Sequence, residues 1–76
     1  MNDKKAIGQL DVGETADLGG MSLNGSASER LREMGLLPGA SIRLVRRAPL
    51  GCPIEFEVAG ARLAIRGRDA ARIFTR

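Results

Sequence analysis

Histidine, tryptophan and tyrosine are absent from this chain, and cysteine occurs once, at Cys52. Without histidine, the commonest general base and metal ligand is missing. A lone cysteine closes no internal disulfide, which agrees with a reducing compartment. Cys52 is then the only strong nucleophile, and its activation would need a carboxylate or the backbone, since no imidazole is present. It reads as a loop thiol of no special reactivity, and no catalytic residue is assigned. No apolar run approaches the roughly 18 residues of a membrane helix, and Met1-Asn2-Asp3-Lys4-Lys5 leads into no apolar targeting segment. A cytoplasmic location is expected.

What is present is the composition of a small globular domain: 76 residues, 43% hydrophobic and 28% charged. At this length one domain is the ceiling and a lone core is marginal. Residues 1–26 carry two lysines against four acids, while residues 27–76 carry ten arginines against five acids, so the net charge passes from −2 to +5. Such an excess attracts nucleic acid, an anionic membrane surface or an acidic protein face. That every basic residue after position 26 is arginine favours planar, bidentate contacts.

Short alternating segments separated by glycine and proline give the pattern of a small barrel or sandwich. Residues 1–9 read as a loose leader and 10–76 as the domain. Glu14 to Leu18 reads as a first strand ended by Gly19-Gly20. A helix begins near Asn24-Gly25-Ser26, where Ser26 and Glu29 have capping-box spacing, with Leu31 and Met34 on its apolar face and Gly35 as its left-handed stop. Pro38-Gly39 suits the centre of a type II turn.

From Ser41, Ile42 and Leu44 face one way, and Arg43, Val45 and Arg47 the other. The prolines of Ala48-Pro49-Leu50-Gly51-Cys52-Pro53 end that strand. Ile54, Phe56 and Val58 point inward, Ala59-Gly60 turns the chain, and Leu63 and Ile65 point inward again. A two-residue turn sets Phe56 opposite Leu63, Ile54 opposite Ile65 and Glu57 opposite Arg62. Glu55 and Glu57 then read as cross-strand partners of Arg62 and Arg66, not as an acid/base pair. One helical turn over Arg68 to Arg72 and a closing strand Ile73-Phe74-Thr75, with Phe74 inward, complete a mainly β fold: about five strands, one short α-helix and one helical turn. Closure into a barrel removes exposed edges.

The run Arg30-Leu31-Arg32-Glu33-Met34-Gly35-Leu36-Leu37-Pro38-Gly39-Ala40 resembles the "RL.EMGL.PG" signature of the FeoA family. Ala48-Pro49-Leu50-Gly51, Pro53-Ile54 and Leu63-Ala64-Ile65-Arg66 follow in the family's order and at similar spacing, so the resemblance spans roughly residues 7 to 75. It implies an SH3-like barrel that assists bacterial ferrous iron uptake by binding a cytoplasmic part of the FeoB-type membrane transporter. The fold so implied is similar to the C-terminal domain of DtxR-type repressors. Cys52 stands where the family commonly has Asp or Asn.

Two functions of different class follow. As an adaptor for the transporter, the chain is expected to make contact through Leu36, Leu37, Arg46, Arg47 and Leu50, an apolar centre with a charged rim; core closure is an equal reading for Leu36. As a basic nucleic-acid-binding or regulatory module it would need aromatic platforms, and Phe56 and Phe74 are its only aromatics. No nucleic-acid partner is therefore expected. Asp11, Glu14 and Asp17 offer at most a weak oxygen-rich site, more simply read as a solvated turn, so no metal site and no cofactor is assigned. Homo-oligomerisation is open, because a marginal core with exposed leucines is one that a second copy completes.

Overall fold

A computed structural model describes residues 4–23 and 25–76. Its elements are a 3-10 turn (Ile7–Gln9), β1 (Thr15–Met21), α1 (Gly25–Glu33), β2 (Ser41–Arg47), β3 (Ile54–Val58), β4 (Ala61–Ile65), α2 (Gly67–Ala70) and β5 (Ile73–Thr75). The five strands form one antiparallel sheet in the order β4-β3-β2-β1-β5. It curls around a core containing Leu18, Ile42, Leu44, Phe56, Leu63 and Ile73, the inward positions of alternating strands.

The β3–β4 hairpin has the register argued from its turn: Ile54 faces Ile65, Phe56 faces Leu63 and Glu57 faces Arg62. Ala59 takes φ 53° and Gly60 φ 81°, the positive pair that a type I′ hairpin requires. The acids are paired differently from the expectation. Glu57 binds Arg43 at 2.7 Å and Glu55 binds Arg46 at 2.6 Å, both across to β2, while Arg62 reaches only 4.0 Å from Glu55. Arg66 takes no part.

Arg43 lies directly opposite Glu57 in the β2–β3 ladder, and for Glu55 the cause is a bulge in β2. This bulge, between Leu44 and Arg46, shifts the register of β2 against β3, so that Arg46 faces Glu55 and Arg47 faces Ile54. One extra residue reverses the side-chain parity downstream. Arg46 thus joins Arg43 on the outer face. Arg47 leaves the face expected of it and donates from Nη2 to the carbonyls of Gly8 and Leu10, at 2.9 and 2.8 Å.

Those carbonyls belong to a segment that is part of the fold. The expectation of a loose leader fails for residues 5–9: Ile7 is fully buried, Ala6 bridges to Phe74, and Lys5 exchanges hydrogen bonds with Thr75. The Lys5 amide donates to Thr75 Oγ1 at 3.0 Å, which satisfies a buried hydroxyl, and the Thr75 amide donates to the Lys5 carbonyl. This clasp decides the parity of β5. Ile73 and Thr75 point inward and Phe74 outward, the reverse of its expected placement.

Gly19-Gly20 does not stop β1. The strand runs on to Met21, with a register shift against β5 between Leu18 and Gly20. A Cβ on Gly19 would lie 2.8 Å from the Thr75 carbonyl oxygen, so the glycine permits a close approach of two backbones at a bulge.

Helix α1 begins at Gly25, which puts Ser26 inside it and not at its cap. Its inward residues are Ser28 and Leu31, while Met34 is exposed. The helix ends in a Schellman motif: the Leu36 amide donates to the Leu31 carbonyl and the Gly35 amide to the Arg32 carbonyl. Gly35 holds φ +107°, and the motif turns Leu36 inward against the core that Leu31 adjoins. The Ala40 amide donates to Leu37 across the Pro38-Gly39 turn, as expected.

Candidate partner-binding surface

The β2–β3 connection is an ordered loop. The Ala48 amide donates to the Pro53 carbonyl at 3.0 Å and closes its base, and the Gly51 amide donates to the Ala48 carbonyl at 2.7 Å across Pro49-Leu50. Pro49 fixes its own φ and has no N–H to donate, so Leu50 is carried outward at the tip. It is 97% exposed. Cys52 follows, joined to Pro53 by a cis peptide bond. Its exposed Sγ accepts the Gly67 amide at 3.2 Å, which ties the loop to the start of α2.

The five residues expected to make contact do not form one surface. Leu36 is fully buried: the Schellman motif places it in the core, which removes it from any docking role. Leu37 is 50% exposed, in the turn that enters β2. Arg46, Arg47 and Leu50 lie at the other end of that seven-residue strand, about 20 Å away at the ordinary strand rise. Arg46 is held by Glu55 and Arg47 by two carbonyls, so Arg47 acts as an internal brace. What remains near the tip is Leu50 with Arg46 below it.

The other exposed large apolar residues are Val12, Met34 and Phe74. For Phe74 the missed signal was the inward demand of Thr75, visible only once Lys5 is seen to pair with it.

Glu14, Glu55 and Glu57 are engaged in structural contacts. Glu14 Oε1 accepts the Asp11 amide at 2.8 Å and Oε2 lies 3.4 Å from Lys5 Nζ. The Asp11 amide foremost, then Lys5, holds the Glu14 carboxyl below its ordinary value. The Arg43 guanidinium does the same for Glu57. Among the described residues no three His, Cys, Asp or Glu side chains gather into a metal-binding group. Asp11 and Glu14 flank the turn before β1, and Asp17 lies within β1. No helix among the described residues is long and apolar enough to cross a membrane.

Residues 5–76 match the FeoA domain family. A FeoA protein from Chlorobium tepidum is 31% identical, with a TM-score of 0.88 over 92% of this chain and 68% of that one. FeoA from Stenotrophomonas maltophilia is 27% identical, with a TM-score of 0.79 over 92% of this chain and 87% of its own. It was solved in complex with zinc and is described as a prokaryotic SH3-domain protein and candidate ferrous iron transport activating factor. A manganese-dependent transcriptional repressor, 13% identical, shares the fold, with a TM-score of 0.86 over 99% of this chain and 42% of that chain.

Proposed function

The chain belongs to the FeoA family, which is associated with ferrous iron transport, and we propose that it is a non-enzymatic accessory of that transport which docks on the cytoplasmic region of a FeoB-type membrane transporter. The observation that carries the reading is the family match from residue 5 to residue 76, essentially the whole described fold. The chemistry of the chain supports it. Glu14, Glu55 and Glu57 are paired or capping, the thiol has no imidazole beside it, and the outward features include a leucine tip and a set of arginines.

Leu50 is the proposed anchor. It is presented by a loop already closed by two backbone hydrogen bonds and a thiol contact, so little conformational entropy remains to be lost on docking. Iron, in this reading, is the cargo of the transporter. Calorimetric titration showing stoichiometric, tight ferrous binding to this chain alone would contradict that.

The test is a pull-down of the transporter's cytoplasmic region with this chain as bait, repeated with Leu50→Asp. The substitution lies outside the core, so the circular dichroism spectrum should not change while binding is lost. Retained binding would remove Leu50 from the interface, and absence of binding by the unsubstituted chain would remove the transporter as partner. Nucleotide hydrolysis by the transporter, assayed with and without the chain, then separates modulation from assembly.

A second reading, a nucleic-acid-binding barrel, gains one point from the outward Phe74. One aromatic platform without a neighbour supports only weak stacking, and arginine charge alone gives weak, steeply salt-dependent association. Fluorescence anisotropy at physiological salt separates the two readings.

A further inference from the structure

Five of the ten arginines of this chain have side-chain partners among the described residues. On the outer face of the sheet, Arg43, Arg46 and Arg62 lie against Glu57 and Glu55, while Arg47 and Arg72 are spent on backbone carbonyls. The side chains of Arg32 and Arg76 have neither an ion pair nor a hydrogen bond among the described residues, and the same holds for those of Arg30, Arg66 and Arg68. The last three line one groove of about 350 Å³ between α1 and the β4–α2 corner.

Ala27 and Leu31 of α1 and Ala64 and Ile65 of β4 supply its apolar lining. β4 is the terminal strand of the sheet, with no strand on its outer side among the described residues. The single acid in the groove, Asp69, forms no ion pair with the three arginines among the described residues. Three unneutralised guanidinium groups close together repel one another. Arg32 and Arg76 are also without a side-chain partner but do not line this groove, whereas these three are gathered in it and are left for charge that arrives from outside.

We propose that this groove receives an acidic segment of the protein partner, its carboxylates meeting Arg30, Arg66 and Arg68 and its aliphatic side chains lying against Leu31 and Ile65. The guanidinium fork matches a carboxylate in two parallel hydrogen bonds, a geometry that lysine does not offer. The apolar lining favours a peptide over a nucleic-acid backbone. A nucleic-acid strand would want aromatic platforms, and neither Phe56 nor Phe74 lines the groove. The inference rests on the docking function proposed above and assigns the partner a chemical feature: a stretch of Asp or Glu interrupted by aliphatic residues.

The experiment measures affinity of the full chain for the transporter's cytoplasmic region by calorimetry at low and high sodium chloride. Arg66→Glu is compared with Arg62→Glu, an equal charge reversal on the paired face, and Arg30, Arg66 and Arg68 are also changed together to Gln. Arg66→Glu should weaken binding about tenfold and the triple change up to about a hundredfold, with Arg62→Glu within about twofold and the salt dependence of the triple variant flattened. All four residues are exposed, so circular dichroism should report an unchanged fold. If the triple variant binds as tightly as the unsubstituted chain, the groove is overturned while the docking function stands. If the unsubstituted chain does not bind, both fall. If a single-stranded oligonucleotide binds more tightly than the transporter region and loses its affinity in the triple variant, the groove is a phosphate site and the acidic-segment proposal is overturned.

Discussion

The turn that leaves α1 and the loop that joins β2 to β3 both combine leucine, proline and glycine, yet they bury their leucines to opposite extremes. Leu36 is fully enclosed and Leu50 is 97% exposed. In the first, a Schellman motif folds the chain back over the helix end and directs Leu36 to the core. In the second, Pro49 and the hydrogen bonds at the loop base fix the backbone while the tip points away from the core. A turn is thus ordered by its backbone hydrogen bonds, and its apolar residue is left to packing or to presentation by the direction those bonds impose.

The strongest way to break this comparison is to truncate both leucines. Leu36→Ala should cost about 2–5 kcal/mol in urea unfolding, because a sealed cavity replaces the side chain. Leu50→Ala should stay within about 0.5 kcal/mol, as at other exposed sites. Equal losses would show that the loop tip packs in solution. A smaller effect probes the backbone device of the first turn. Gly35→Ala places a Cβ only at ordinary contact distance from Val58 and Ala59, so its cost comes from the positive φ and should be about 1–2 kcal/mol. A neutral result would mean that the Schellman geometry is not what seats Leu36.

The smallest effect concerns the hairpin that carries Leu50, whose outer face relies on exposed ion pairs. The Glu57 carboxyl is held below its ordinary value by Arg43. Its contribution to stability is therefore complete above the unfolded glutamate value and is lost as pH falls through the depressed folded one. Glu57→Gln should remove part of the acid-range loss of stability and reduce its salt dependence, with a cost at neutral pH below that of Gly35→Ala. An unchanged pH profile would show that the pair is not formed in solution.

Strand identity and the β3–β4 register were legible because inward aliphatics, a two-residue turn and outward charges all select one pairing. Positions governed by a single irregular residue were not. The β2 bulge lies where Leu44-Val45 and then Arg46-Arg47 break the alternation, but a period-2 pattern does not locate the extra residue, and with it went the placement of Arg47 and the partner of Glu55. Phe74 was misplaced because in a three-residue strand hydrophobicity alone sets the parity, whereas the Lys5 contact with Thr75 overrides it. Gly19-Gly20 carries the same signal for a strand end and for a close crossing of strands. The candidate site suffered most: exposure at a turn depends on which way the chain leaves it, so Leu36, Leu37 and Leu50 look equivalent in the sequence. The groove arginines come from α1 and the β4–α2 corner, and only the fold brings them together.

The pairing of β1 with β5 and the clasp between Lys5 and Thr75 have a consequence for synthesis. The first strand to leave the ribosome finds its outer neighbour only after nearly all of the domain has been translated, so that edge stays open on the nascent chain. Ribosome-bound chains halted before Ile73 should remain readily cleaved by protease, and acquire resistance only when the segment through Thr75 has cleared the exit tunnel.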